Sequence, residues 1–189
     1  MGDFRGNRGL PIDGGLSIFA VPANPFRDPR GDIYLLPIVY SNQDYLSDLL
    51  VARGTVTPDE ITKARDGVSP NQGVVDLLVA VGDVTEEQVA QTIAENAGTD
   101  YVDLGGHPFT EHVFQAMDVE VAQRFQAVPL EDDGTYMTVA VADALDFETL
   151  DSLPHVVGRE VRFVSSTPSA ITKVLHDNYG VETEEADTG

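Results

Sequence analysis

The chain has 189 residues and a formal charge of −21, from 32 acidic against 11 basic side chains, with no cysteine and no tryptophan. That acidic balance excludes simple phosphate-backbone binders and docking on anionic lipid, and the missing thiols exclude disulfides, zinc–thiolate sites and cysteine nucleophiles. Hydrophobic residues make up 42%, enough for a core, and no apolar run is long enough to insert in a bilayer. The start, with Asp3 and Arg5 ahead of glycines, lacks the shape of a signal peptide, so the expected compartment is the cytoplasm. Lysine occurs only at Lys63 and Lys173, and 20 of the 32 acids are aspartate, a texture resembling proteins that work in strong salt.

Residues 1–40 read as a separate arm. They are rich in Gly and Pro and neutral, with Arg5, Arg8, Arg27 and Arg30 balancing Asp3, Asp13, Asp28 and Asp32. Short extended pieces are expected at Leu16–Val21 and Ile33–Tyr40, with a turn-rich stretch between them. Such an arm could add a strand to a partner's sheet or be ordered by a partner.

An internal repeat follows. Asp48–Thr57 returns 28 residues later as Asp76–Thr85, with eight of ten positions identical. Each copy reads as helix, turn, helix. In the first, Leu46, Leu49 and Leu50 share a face, Gly54 stops the helix, and Val56 packs back. Thr57 then caps a second helix with Pro58 at its first position and Glu60 completing a capping box. In the second, Val74, Leu77, Leu78 and Val81 form the face and Gly82 the stop. Thr85 and Gln88 make the box, and Val89 and Ile93 are buried. Residues 41–98 are therefore expected to form a four-helix subdomain of two similar hairpins.

From residue 99 to 180 the period changes. Tyr101–Leu104 is expected as a short strand and Glu111–Phe125 as helical turns. Ala127–Leu130 and Tyr136–Ala142 read as strands joined through Asp132-Asp133-Gly134. Asp146 caps a helix to about Leu153, Val161–Val164 is a further strand, and Thr167-Pro168 opens a helix carrying Ile171, Val174, Leu175 and Tyr179. Residues 181–189 form an acidic tail. The fold class is α+β: a four-helix tandem-repeat subdomain beside a small mixed α/β subdomain.

These residues resemble a known family. The paired pattern Leu46…Leu50-Val51-x-x-Gly54-x-Val56…Ile61 and Val74…Leu78-Val79-x-x-Gly82-x-Val84…Val89 is similar to the N-terminal domain of type II secretion and type IV pilus assembly ATPases. Tyr101-Val102-Asp103-Leu104, Val128-Pro129-Leu130, Val139–Asp143 and the Thr167 helix follow in the family's order. The resemblance implies docking onto components of a secretion or pilus machine, at the inner face of the membrane through a protein partner. It also implies that a subset of members binds cyclic di-GMP as a regulatory ligand. The chain has no Gly-Lys pair, so it carries no phosphate loop of the motor type. It is either an isolated N-terminal region or a free-standing module.

Ligand-binding members of the family begin each repeat with Arg-Leu-Gly and end it with Gln. Here the starts are Tyr45-Leu46-Ser47 and Gly73-Val74-Val75, and the ends are Val68 and Asn96. A cyclic di-GMP site on the altered motif would draw on Tyr45 for stacking and Asn96 for an amide. Arg53 would supply a cation, beside Leu46, Leu50, Gly54, Ile61, Leu78, Gly82 and Val89. The resemblance also places Asp143 facing the repeats. Helix packing alone accounts for the apolar members of this set.

No enzymatic constellation emerges. His107, His112, His155 and His176 lack metal-ligand spacing. Asp146 and Glu148 read as a cap with a first-turn acid, and Ser165, Ser166 and Ser169 fit no nucleophile elbow. The chain reads as a non-catalytic interaction module without a cofactor. The alternatives are a cyclic di-GMP sensor with a degenerate motif, or a regulatory subunit acting in trans on a separate motor.

Overall fold

The duplicated Gly-x-Val-Thr segment ends one helix and starts the next, twice. In the computed structural model, which describes residues 40–68 and 72–179, α1 (Gln43–Ala52) and α2 (Pro58–Gly67) form the first hairpin. Helices α3 (Val74–Val81) and α4 (Glu86–Ala97) form the second. Gly54 and Gly82 sit at φ +75° and +86°, the left-handed conformation that glycine adopts without penalty and that ends a helix. Thr57 Oγ1 then accepts from Glu60 N at 3.3 Å while the Glu60 carboxylate accepts from Thr57 N at 2.7 Å. Thr85 and Gln88 make the same reciprocal pair at 3.1 and 2.9 Å. Such caps satisfy backbone donors that the first turn leaves open, at about 1 kcal/mol each.

Between the two hairpins lie Leu46, Leu50, Val56, Ile61, Val75, Leu78, Val84, Val89 and Ile93, all buried. The face of α3 differs from the expected one. Val75 and Leu78 point inward, Val74 and Leu77 are half-buried, and Val81 is 60% exposed. Three-residue spacing places Val81 in line with Leu78, but the helix stops at Gly82 and its last turn has outrun the core.

The second subdomain holds α5 (Glu111–Gln115), α6 (Val119–Phe125), β1 (Ala127–Asp132), β2 (Tyr136–Val141), α7 (Phe147–Val157), β3 (Glu160–Ser165) and α8 (Pro168–Tyr179). The sheet order is β1-β2-β3, antiparallel and then parallel, with Ala127 opposite Val141 and Val139 opposite Phe163. The hairpin turn is held by Asp132, which accepts from Gly134 N, and by Asp133, which accepts from Thr135 and Tyr136 N. Strand β1 is bulged between Pro129 and Glu131, where proline withholds a ladder donor.

Three further differences from expectation stand out. Tyr101–Leu104 is not a strand but a single parallel bridge from Tyr101 to Ser165. Asp103 turns the chain away by accepting from Gly105 N at 2.9 Å. Helix α7 runs past Leu153 to Val157, with Pro154 inside it and Gly158 at φ +70° ending it. Tyr40, assigned to the arm, is buried in the core, whereas the expected strand at Leu16–Val21 lies outside the described residues.

Serines with no catalytic signature hold the segment after α4 to the end of β3 and, through Ser169, tie α8 to the helical repeats. Ser165 N donates to Asp100 O at 2.8 Å and Val102 N donates to Ser165 O at 2.9 Å. Ser166 Oγ donates to Val102 O at 2.8 Å. Ser169 donates through N and Oγ to the Glu86 carboxylate at 3.0 and 2.7 Å. Ser165 and Ser166 are fully buried, so their bonds are sheltered from competing water, whereas the Ser169–Glu86 pair is exposed.

Two outcomes follow for stability. Leu50→Ala leaves a cavity at the centre of the repeats and should cost about 2–5 kcal/mol in urea denaturation. Asp132 is held below the usual carboxylate range by the Gly134 N–H and by Arg159. A lowered folded pKa gives stability that is present above the unfolded value and lost as pH falls through the folded one. Asp132→Asn should therefore flatten the loss of stability between roughly pH 5 and pH 2 relative to wild type, read by urea denaturation at fixed ionic strength.

Candidate functional site

Where the subdomains meet, a cleft of about 450 Å³ opens between the start of α1, the end of α4 and the start of α7. Tyr45 and Asn96 face each other across it, with Tyr45 Oη donating to Asn96 Oδ1 at 3.0 Å. Asn42, Ala97, Ala144, Leu145, Phe147 and Leu150 complete the lining among the described residues, none of them charged. Phe147 is 77% exposed and Tyr45 43%.

Phe147 is exposed because of how its helix begins. Asp146 caps α7 by accepting from Glu148 N at 3.2 Å and from Thr149 Oγ1 at 2.7 Å. The next residue then occupies the first helical position, where no preceding turn covers it. The approach to α1 is fixed by Asp143. Its Oδ2 accepts from Ser41 N and Ser41 Oγ, both at 2.8 Å, and its Oδ1 accepts from Leu145 N at 3.0 Å. One carboxylate thus ties the lead into the repeats to the loop after β2. Aromatic rings, amides and an apolar floor suit a planar ring or an apolar side chain with a hydrogen-bonding edge.

Equivalent ends of the two repeats have unlike fates. The first position of repeat one, Tyr45, and the last of repeat two, Asn96, line the open cleft. The first position of repeat two, Gly73, is closed off by Gln43. The Gln43 amide accepts from Val75 N at 2.9 Å and donates to Asp76 Oδ2 at 2.9 Å and Tyr40 O at 3.1 Å. A Cβ at Gly73 would run into Gln43 and the Asp76 carboxylate. No side chain can start there unless Gln43 leaves.

The remaining residues expected at a ligand site divide by environment. Leu46, Leu50, Ile61, Leu78 and Val89 are buried in the helical core, and Gly54 and Gly82 are helix stops. Arg53 pairs with Glu95 of α4 at 2.6 Å, and Arg65 with Asp44 of α1 at 2.7 Å. Both pairs are largely exposed and contribute little stability. Phe147 and Gln43 escaped the sequence reading. A phenylalanine directly after a helix-capping aspartate was the available signal for the first; Gln43 carried none. Among the described residues no group of three His, Asp or Glu side chains could hold a metal, and no helix is long and apolar enough to cross a membrane.

Two capped helical hairpins joined to a small mixed sheet are similar in fold to N-terminal domains solved for secretion and pilus ATPases. Residues 97–185 match the MshEN domain. The fold is that of solved relatives. A structure of MshE with cdg has a TM-score of 0.62 at 20% identity, covering 71% of this chain and 98% of that one. The N-terminal domain of XpsE has a TM-score of 0.58 at 22% identity, covering 76% and 99%. Among curated proteins, the type IV pilus assembly ATPase PilB of Thermus thermophilus is 26% identical over 137 residues, and that of Myxococcus xanthus 21% over 135. Bacteriophage adsorption protein B of Escherichia coli is 24% identical over 119 residues. The chain spans only 15% and 24% of the two PilB sequences and 16% of the adsorption protein.

Gly73→Ala should displace Gln43 from the start of α3 and cost about 1–3 kcal/mol, measured by thermal unfolding. The double variant with Gln43→Ala should lose less than the sum of the two single changes, because both disturb one contact. Strict additivity would show that Gln43 does not close this end.

Proposed function

We propose that the chain is a non-catalytic docking module of a secretion or pilus-type machine, holding a protein partner at the cytoplasmic face of the inner membrane through the cleft. The observation that carries this reading is Phe147, an aromatic ring more than three-quarters exposed at the rim of an uncharged, largely apolar opening. On a surface this acidic, an uncharged aromatic opening has the composition of an interaction hot spot. The likeness to domains of assembly ATPases supports the machine.

A second reading is favoured by the Tyr45–Asn96 pair. It joins the first position of one repeat to the last of the other, where a cyclic di-GMP sensor would need a stacking ring and an amide. The relative solved with cdg supports it. The repeat starts lack arginine, and Gly73 is closed, which weighs against it.

Calorimetry of the full chain with cyclic di-GMP, in low salt and in molar KCl, separates the two readings. No heat in either condition is expected; micromolar binding that Tyr45→Ala abolishes would establish the sensor instead. For docking, Phe147→Ser should weaken capture of machine components by about tenfold or more while leaving the melting temperature unchanged. Unchanged capture would remove Phe147 from the interface.

A further inference from the structure

Tyr40, just ahead of α1, is 3% exposed, and its hydroxyl has no hydrogen-bond partner. Leaving a buried polar group unpaired costs about 1–3 kcal/mol, so native proteins rarely keep one without a use. Tyr40 lines a second opening, of about 280 Å³, with Asp76, Val79 and Ala80 of α3, Glu86 at the start of α4 and Pro168 at the start of α8. This opening differs from the Tyr45–Phe147 cleft in one respect that matters: it is acidic, and no lysine or arginine is among its described lining residues.

Its charges are held in place, and among the described residues no cation compensates them. Glu86 is fixed by the N–H and hydroxyl of Ser169, and Asp76 by Gly73 N and the Gln43 amide. Each carboxylate has further acceptor positions. The Tyr40 hydroxyl is pushed above the usual tyrosine range by burial and then by the charges of Glu86, Asp76 and Asp143. Asp76 is itself raised by burial despite its two hydrogen bonds. Among the described residues the negative charge here lacks a counterpart, and the apolar surfaces of Val79, Ala80 and Pro168 lie alongside.

We propose that this pocket receives an arginine side chain of a partner protein, its guanidinium donating to Glu86, Asp76 and the Tyr40 oxygen while its stem lies on Val79, Ala80 and Pro168. The inference rests on the docking reading and adds the chemistry of one contact. A metal ion fits less well, because two carboxylates and a phenol fall short of the oxygen ligands that hard cations gather. Arginine fits better than lysine, since its planar fork presents several donors to separate acceptors and sheds its hydration more easily.

The test uses the full 15N-labelled chain and two blocked tripeptides, acetyl-Gly-Arg-Gly-amide and its lysine counterpart. Working in about 0.3 M KCl screens the general attraction of so acidic a protein for any cation. The arginine peptide should give saturable shifts confined to Tyr40, Asp76, Val79, Ala80 and Glu86. Glu86→Gln and Tyr40→Phe should each weaken binding by roughly tenfold, the loss of one charge-assisted hydrogen bond. The exposed Asp59→Asn should leave it unchanged. Tyr40→Phe keeps the test decisive if Glu86→Gln loosens α8, because the hydroxyl it removes bonds to nothing and the melting temperature should not fall. Non-saturating shifts across the acidic surface, equal binding of the lysine peptide, or full binding by Tyr40→Phe would each overturn the assignment. A crystal showing a fixed water on the Tyr40 hydroxyl and no peptide would do the same. No machine component enters this assay, so its failure leaves the Phe147 experiment standing, and the reverse also holds.

Discussion

The geometry of this protein depends on the short contact between the segment after α4 and the end of β3. Ser165 donates from its N–H to Asp100 and accepts at its carbonyl from Val102, and its hydroxyl lies 3.1 Å from that of Thr99. These bonds extend the sheet by one residue toward the helical repeats. Because the contact is buried and directional, it fixes the path of the chain from α4 to the sheet. Asp143 on Ser41 and Glu86 on Ser169 then brace the same junction from other sides. Both openings described above lie along that junction, so their shapes follow from three serines.

Two kinds of surface meet there. The chain is overwhelmingly acidic, yet the Tyr45–Phe147 cleft has no charged lining, and the Tyr40 pocket concentrates carboxylates around a phenol. Like charges clustered without counter-ions raise the energy of the free protein, most where burial keeps water away. At Asp76 burial raises the carboxyl above its ordinary range although hydrogen bonds from Gly73 N and the Gln43 amide favour the ionised form. An apolar patch and a compact negative patch on one face suit a partner that offers both a ring or aliphatic group and a cation.

Much of the fold was legible in the sequence because it is written in local rules. Thr57-Pro58-x-Glu60 and Thr85-x-x-Gln88 announce helix starts through side chains that can reach only their own first turn. Gly54, Gly82 and Gly134 announce backbone conformations that other residues resist. What failed was tertiary. Tyr101–Leu104 has strand composition, but Asp103 forms a local turn that competes with pairing. Val81 has the right spacing for the α3 face and lies beyond the core's reach. At the cleft, Tyr45 and Asn96 were singled out by the repeat pattern, and Asp143 by the family resemblance. Gln43 and Phe147 act across more than thirty residues of sequence or at a helix rim, where no short pattern records them.

The duplicated hairpin carries one more consequence. Two copies of one supersecondary unit offer two equivalent mouths, one at each junction between a repeat's beginning and the other's end. Here one mouth is open between Tyr45 and Asn96, and at the other a glutamine amide is wedged against a glycine that a larger residue could replace only by displacing it. Twofold valence in the sequence has become single valence in the structure. A ligand with two matching halves would find one seat occupied before it arrived, whereas a ligand with a single reading head would lose nothing.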